Sequence, residues 1–303
     1  MKRKLYDTII AYLFLLPFLI FFFSFLAYPI VYSFYLSLRK VTIDTSFYNI
    51  FSEMRFCGLE NYIKLLKDTE FWFSLLTTFY YGLLSIPLGI FVSLLLAVIL
   101  NSKLKGFKIY RSAFFLPNVL DMLVVGIIWT LLYAPQYGII TRIADIIGIT
   151  LPQKGILGDP KTALLGVVVA CVLKNCGYGM ILFLAAMQNI PPSVYEAAEI
   201  DGVSEIQKHI YITLPLIRPI IFFLIVTGTI GVLNSFTEIY AMTGGGPITT
   251  LFGKTYKATQ VTGYYLFLQW DRMNYGYAAA ISYVLLIITL IFSFVYSKLL
   301  KWK

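Results

Sequence analysis

The residues whose types and spacing point most directly to a function form a polar stretch between two long apolar segments. The stretch contains Glu196-Ala197-Ala198-Glu-Ile-Asp201-Gly202 and ends in Ile212-Thr-Leu214-Pro215. The two alanines let another surface approach closely, and the four acids in and just after this stretch suit a cationic partner. We therefore interpret it as a docking loop.

The local signals around this loop predict a helix-turn-helix outside the membrane. The two prolines before it end the preceding apolar segment, because proline removes a backbone donor. Ser193 followed by Glu196 is a predicted capping box, Gly202 is a helix stop, and a second short helix is expected over about 204–212. The alternative is that Glu196 only caps, Gly202 only turns and Pro215 only restarts a span.

Polar side chains inside apolar segments are the second group with chemical potential. They are costly in lipid and usually face the bundle interior or a pathway. The candidates are Lys174, Asn175, Tyr178, Asn234, Ser235 and Glu238. The alternative is that they join helices, since Asn and Ser often hydrogen-bond neighbouring spans.

Catalytic machinery is not evident in the sequence. The chain has one histidine, His209, so histidine metal sites and serine-histidine triads lack parts. Gly253-Lys-Thr255 resembles the end of a phosphate-binding loop, but Ile248 stands where that motif needs glycine. Three cysteines imply no disulfide or metal framework. We predict a non-catalytic chain without metal or cofactor of its own.

Composition supplies the setting for these residues. The 303 residues are 59% hydrophobic and 13% charged, whereas soluble domains are about 25% charged. Since a membrane helix needs about 20 apolar residues, we predict an all-α protein with six spans, at about 9–38, 73–100, 112–133, 163–189, 217–240 and 275–298.

These spans predict one membrane domain over residues 1–303. Its core runs over about 73–298, and a first span with an outer loop occupies about 9–72. Within that loop, residues 56–68 have the spacing of a short helix on the membrane face. Residues 134–162 are rich in glycine and proline and predict a compact turn-rich connection.

Charge placement predicts the orientation. The net charge of +9 could suggest nucleic acid, but the cations are densest in alternate loops, with clusters at 2–4 and 103–111. The positive-inside rule then places the N- and C-termini in the cytoplasm, and the docking loop with them. The first apolar run continues through Tyr32 without a cleavage site, so we interpret it as an uncleaved span rather than a signal peptide.

The docking loop resembles the EAA loop of the inner-membrane permeases of ATP-binding-cassette importers. That pattern runs Glu-Ala-Ala, two residues, Asp-Gly-Ala and later Ile-x-Leu-Pro, and this chain departs from it at Val203 and at His209, commonly phenylalanine. The matching residues are Glu196, Ala197, Ala198, Asp201, Gly202, Ile212, Leu214 and Pro215.

Five further segments in order resemble the sugar-permease branch, which includes the maltose-type and glycerol-phosphate-type permeases. Asp121 departs from the small neutral residue usual there. The segments are Phe56-Cys-Gly-Leu-Glu-Asn-Tyr62, Tyr110-Arg-Ser-Ala-Phe-Phe-Leu-Pro117, Ile190-Pro-Pro192, Thr243-Gly-Gly-Gly-Pro247 and Tyr275-Gly-Tyr-Ala-Ala-Ala280.

The resemblance implies a type I importer permease fold in a bacterial or archaeal cytoplasmic membrane. The implied partners are a second, related permease, two ATPase subunits that bind ATP and magnesium, an extracytoplasmic solute-binding protein, and a sugar. It also implies that Glu196 pairs with a basic group on the ATPase. By position, Tyr178, Gly231 and Ser235 match sugar-contacting places of the maltose-type permeases.

Three other functions stay open at this point. A secondary transporter or channel would be expected to show inverted repeats or coupling acids near the midplane. A membrane-embedded enzyme would need convergent nucleophile, base or metal ligands. A glycerol-phosphate substrate would need an anion site, for which Lys174 is the one cation in the interior of a predicted span.

Overall fold

A computed structural model describes residues 2–42, 45–46, 48–101, 106–251 and 253–300. Its internal contacts divide the chain into two units, Met1–Asp68 with Leu266–Ile288, and Thr69–Tyr265 with Thr289–Lys303. The all-α class is confirmed, since long helices dominate and the only sheets among the described residues are two antiparallel pairs. The single domain over 1–303 stays a prediction.

The first unit begins with one long apolar helical segment. Its parts are α1 (Lys2–Phe21), a π-helical stretch (Phe22–Ala27) and α2 (Tyr28–Ser37). Residues Tyr12–Ser37 are long and apolar enough to cross a membrane, because 26 residues extend about 39 Å at about 1.5 Å each. Within this segment, an 18-residue apolar stretch has no residue buried inside this chain.

The rest of the first unit's N-terminal part is a small capped loop. It contains β1 (Arg39–Lys40), α3 (Ile50–Glu53), β2 (Arg55–Phe56) and α4 (Glu60–Lys67). The two strands pair antiparallel, and the Asn61 amide donates to the carbonyls of Ser37 and Arg39 at 2.8 and 2.9 Å. The short helix predicted over 56–68 is present as α4, and its position on the membrane face stays a prediction.

The second unit is built around a buried central helix. Its first part contains α5 (Thr69–Asn101), α6 (Phe107–Val119), α7 (Met122–Leu132), α8 (Ile139–Ile147), a 3₁₀ turn (Ile156–Gly158) and α9 (Ala163–Gln188). Of an 18-residue apolar stretch in each helix, 61% is buried in α9 and 17% in α5. Helix α9 packs on α5 and α6, so it forms the centre of this unit.

Small residues bring these helices close together. A Cβ on Gly177 of α9 would overlap the backbone of Phe114 and Phe115 in α6, and a Cβ on Gly179 would overlap Ser93 of α5. The Ser93 hydroxyl donates to the Cys176 carbonyl at 3.0 Å. This is the small-residue packing that membrane helices use when no hydrophobic effect drives association.

The C-terminal part of the chain alternates short and long elements. They are α10 (Pro192–Ile200), α11 (Glu205–Gln207), a π-helical stretch (Lys208–Thr213), α12 (Leu214–Leu216), α13 (Arg218–Leu233), α14 (Thr237–Met242), β3 (Ile248–Leu251), β4 (Lys254–Lys257), α15 (Thr262–Asp271) and α16 (Tyr275–Leu300). Strands β3 and β4 form an antiparallel hairpin, with Ile248 opposite Lys257.

The predicted third span is not one continuous helix over 112–133. Helices α6 and α7 together have the length and composition of a span, but they meet at a bend of 102°. Asp121 causes the break, since its backbone is extended and its carboxylate accepts from the Leu123 amide at 2.8 Å. An N-cap acid starts a new helix at this point, which explains the unusual residue.

Two other predicted boundaries also need correction. The fifth span was expected over 217–240, but α13 ends at Leu233, where the Asn234 amide turns back to the Ile230 carbonyl at 2.8 Å. The connection 134–162 contains the helix α8 as well as turns. Four helices of the described chain qualify as spans alone, and counting each of two bent pairs as one gives up to six. The second pair, Glu205–Leu216 with Arg218–Leu233, begins inside the predicted docking loop and not at residue 217.

Candidate functional site

The docking loop, hereafter the polar loop, comprises residues 190–216 and forms the helix-turn-helix that the sequence predicts. Helix α10 ends at Ile200, and Gly202 then adopts φ +72°. The amides of Gly202 and Val203 donate to the carbonyls of Glu199 and Ala198 at 3.1 and 3.0 Å. Glycine takes this left-handed position at low cost, and it allows the next helix to start at Glu205.

The predicted capping box at Ser193 is wrong. Helix α10 already begins at Pro192, and its N-cap is Pro191, because proline suits the first helical position. The capping box lies one helix later. The Gln207 amide donates to Ser204 Oγ at 3.4 Å, and the Ser204 amide donates to Gln207 Oε1 at 3.0 Å.

The predicted docking residues occupy two different environments. Glu196, Ala197, Asp201 and Gly202 are exposed at the tip, whereas Ala198 is buried, and Ile212, Leu214 and Pro215 are half-buried. Leu214 packs against an apolar cluster that includes residues of α5 and α9. The polar loop thus has an accessible tip and a base that is anchored on the spans.

The acids of the polar loop also fall into two groups. Lys208 Nζ lies 2.8 Å from a Glu199 oxygen and 2.7 Å from a Glu205 oxygen. These hydrogen bonds raise the pKa of Lys208, and the bond from Lys208 lowers the pKa of Glu205. Glu196 and Asp201 form no ion pair with any residue that the structure describes.

A cavity of about 470 Å³ lies among α5, α7, α9, α13 and α14 in the second unit. Five residues that the sequence analysis singled out line it: Lys174, Asn175, Tyr178, Gly231 and Glu238. Asn234 and Ser235 do not. Their side chains bond to the carbonyls of Ile230 and Val232 at the end of α13.

Helix α5 contributes a lining stripe that the sequence reasoning missed. Tyr81, Ser85, Gly89 and Ser93 all line the cavity. They are four residues apart, which places them on one face of a helix. Such a stripe of small and polar residues inside an apolar segment is a visible signal for an interior face.

The two charged residues of the cavity have neutral partners. Lys174 is 9% exposed, and its ammonium donates a long bond of 3.4 Å to the Asn118 carbonyl. Glu238 accepts from the Tyr81 hydroxyl at 3.3 Å. Neither forms an ion pair within the described part of the chain.

The cavity can bind a polar neutral molecule or an anion. It presents an amide, hydroxyls, one aromatic ring, one ammonium and one carboxyl, which together suit a ligand rich in hydroxyl groups. The described residues contain no group of three or more His, Cys, Asp and Glu arranged to hold a metal.

Comparison with known proteins identifies the family. Residues 70–301 match the model of the binding-protein-dependent transport system inner membrane component. The probable ABC transporter permease protein YurN of Bacillus subtilis is 35% identical over 299 residues, covering 97% of each chain. The trehalose/maltose transport system permease protein MalF of Thermococcus litoralis is 32% identical over 302 residues, which is 100% of this chain and 97% of the relative.

A solved structure has the same fold. A chain of a bacterial alginate ABC transporter, crystallised with an alginate pentasaccharide-bound periplasmic protein, aligns with a TM-score of 0.80 at 21% identity, over 99% of this chain and 97% of that chain. The resemblance inferred from the polar loop and the five ordered segments is confirmed. The chain belongs to the family of binding-protein-dependent transport system inner membrane components and is a membrane permease.

Proposed function

We propose that this chain is one permease subunit of an ATP-driven importer of a sugar or glycoside. In this proposal it lines part of the pathway together with a second, related permease. Two ATPase subunits bind ATP and magnesium on the cytoplasmic side, and an extracytoplasmic solute-binding protein delivers the substrate. The membrane is the bacterial or archaeal cytoplasmic membrane, with both termini of this chain in the cytoplasm.

The observation that carries the proposal is the exposed tip of the polar loop. Glu196 and Asp201 form no ion pair with the described residues. The base of the loop packs against the spans through Leu214. An exposed acidic tip on an anchored base can transmit force. When an ATPase pair closes on ATP, the tip would be displaced as a rigid body and the spans would follow.

The cavity supports transport of a polyhydroxylated molecule. Its volume of about 470 Å³ is within the range of small-molecule sites. Asn175 and Tyr178 supply an amide and an aromatic ring with a hydroxyl, and the relative from Thermococcus litoralis is named a trehalose/maltose permease. A phosphorylated substrate is the second candidate, favoured by the single ammonium of Lys174 on the cavity wall.

The docking role is tested by removing the exposed acid. We expect Glu196→Ala to reduce recovery of the ATPase subunits with this chain by about tenfold, since a hydrogen bond to a charged group contributes about 1.5–3 kcal/mol. The measurement is affinity purification from native membranes in mild detergent, followed by quantitative mass spectrometry.

Asp145→Ala is the matched control, because Asp145 is an exposed acid on α8, outside the polar loop. Its recovery of partner subunits should equal that of the unmodified chain. Equal recovery for Glu196→Ala as well would remove the docking function from the loop tip. A wild-type chain that is recovered without any ATPase would favour a secondary transporter or channel.

A further inference from the structure

Lys208 is the most enclosed charged residue of the polar loop. Only 7% of its side-chain surface is exposed, although its two partners, Glu199 and Glu205, are 64% and 79% exposed. The ammonium therefore lies beneath two carboxylates that face solvent. The two carboxylates lie at hydrogen-bonding distance and replace water contacts that the covered side chain has lost.

One of the two ion pairs, Lys208–Glu199, crosses the turn, whereas Lys208–Glu205 lies within the residues that follow it. Glu199 belongs to α10, and Glu205 opens α11. Lys208 reaches back nine residues to the first acid and three residues to the second. Its own amide donates to the Ser204 carbonyl at 2.9 Å, so both its side chain and its backbone connect to the turn.

Few other described side-chain contacts cross this turn. The Tyr195 and Thr213 hydroxyls lie 3.1 Å apart and join α10 to the later π-helical stretch, but they lie at the anchored base. The Ser204 capping box stays on the α11 side. Near the exposed tip, the Lys208–Glu199 ion pair is therefore the described side-chain contact that joins α10 to the residues after the turn.

We propose that Lys208 is a positioning residue that holds α10 and α11 in the geometry required for coupling. The inference rests on the proposed docking function and assigns different roles to the four acids. Glu199 and Glu205 bind Lys208 within the chain, and Glu196 and Asp201 are left to meet the partner. A cation of the partner is therefore expected to bind Glu196 or Asp201 and not Glu199 or Glu205.

The contacts of Lys208 with Glu199 and Glu205, called the clamp below, are tested on the purified permease alone. Hydrogen exchange of the amides between residues 198 and 208 should become about fivefold faster in Lys208→Met, because the ion pair that joins α10 to the residues after the turn is lost. Lys208→Arg keeps the charge and should restore most of the protection. Lys108→Met is the matched control, since Lys108 is exposed and has no ion pair among the described residues.

The consequence for coupling is tested on the assembled importer. Lys208→Met should assemble with the ATPase subunits, and it should lose most of the ATP-dependent uptake per ATP hydrolysed. Lys208→Arg should recover it. A purely structural role for Lys208 would reduce the amount of assembled complex instead, and would leave the uptake per ATP of the remaining complex unchanged.

The two tests separate the clamp from the docking function. If exchange in Lys208→Met equals that of the unmodified chain, no clamp exists and the inference is overturned, whatever Glu196→Ala does. If exchange rises while uptake per ATP is unchanged, the clamp is irrelevant to coupling and the positioning role is overturned. If Glu196→Ala has no effect on assembly, the docking function fails, and a coupling role for Lys208 fails with it. Faster exchange with lowered uptake per ATP, rescued by arginine, supports the inference.

Discussion

Charged residues have different kinds of partner in the polar loop and in the cavity. In the loop, Lys208 binds two carboxylates at 2.7 and 2.8 Å within the chain. In the cavity, Lys174 and Glu238 have a carbonyl and a phenol hydroxyl as their described partners, at 3.4 and 3.3 Å. The loop pairs its cation with carboxylates of the chain, whereas the two cavity charges have no described ionic partner.

The difference has a physical basis. Near water, an ion pair gains little and costs little, so it can serve to set a geometry. Inside a bundle of spans, a charge without an ionic partner is expensive and persists where function requires it. We therefore expect substitutions in the loop to alter coupling, and substitutions around the cavity to alter either folding or the handling of substrate.

The largest expected effect comes from the helix contact beside the cavity. Gly177→Leu would drive a side chain into the α6 backbone at Phe114 and Phe115. Overpacking of this kind costs about 3 kcal/mol, so we expect a lower thermal unfolding temperature in detergent and little assembled complex. The control is Gly231→Ala, since a Cβ there has no neighbour within 4 Å. Equal unfolding temperatures for both variants would show that α6 and α9 are not in close contact.

The next effect separates the cavity from the loop. Lys174→Met removes the cavity's ammonium, and we expect the substrate concentration for half-maximal uptake to rise about tenfold, since a charge-assisted hydrogen bond contributes about 1.5–3 kcal/mol. Uptake assays in cells or proteoliposomes measure it. Assembly with the ATPase should not change.

Lys154→Met is the control for this experiment, because Lys154 is exposed and lies outside the cavity lining. Its uptake curve should match that of the unmodified chain. If Lys174→Met matched it too, the cation would have no role in substrate binding. If Lys174→Met also lost the ATPase subunits, the proposed independence of cavity and loop would be wrong.

The smallest effect compares two glycines with similar backbones. Gly202 and Gly148 have φ of +72° and +81°, and a Cβ on either would meet no atom within 4 Å. Alanine at each should therefore cost about 1 kcal/mol of stability. We expect Gly202→Ala to lower uptake per ATP as well, because it lies at the tip of the polar loop, whereas Gly148→Ala should leave uptake per ATP unchanged.

Local patterns were sufficient to predict much of the polar loop. The spacing from Glu196 to Gly202 determines where α10 ends, since a glycine stop acts through its own backbone. The same kind of signal was ambiguous at the helix starts. Ser193 and Ser204 each precede a Glu or Gln by three residues, and only Ser204 caps, because Pro192 already occupies the first position of α10.

The cavity was predicted only in part, because its walls come from helices far apart in sequence. Asn175, Tyr178 and Glu238 were visible as polar residues inside apolar segments, and Tyr81 and Ser85 form a stripe that could have been found in the same way. Asn234 and Ser235 have the same character, but their side chains bond to their own helix end. Residue type alone does not distinguish these two uses.

The sequence by itself determined the membrane class, the six apolar segments, the turn at Gly202 and the family, because each depends on composition or on contacts within a few residues. Tertiary structure decided the cavity among five helices and the pairing of Lys208 with both Glu199 and Glu205. These features depend on which helix faces are brought together, and a charge or a glycine acquires its role only from the atoms that packing places beside it.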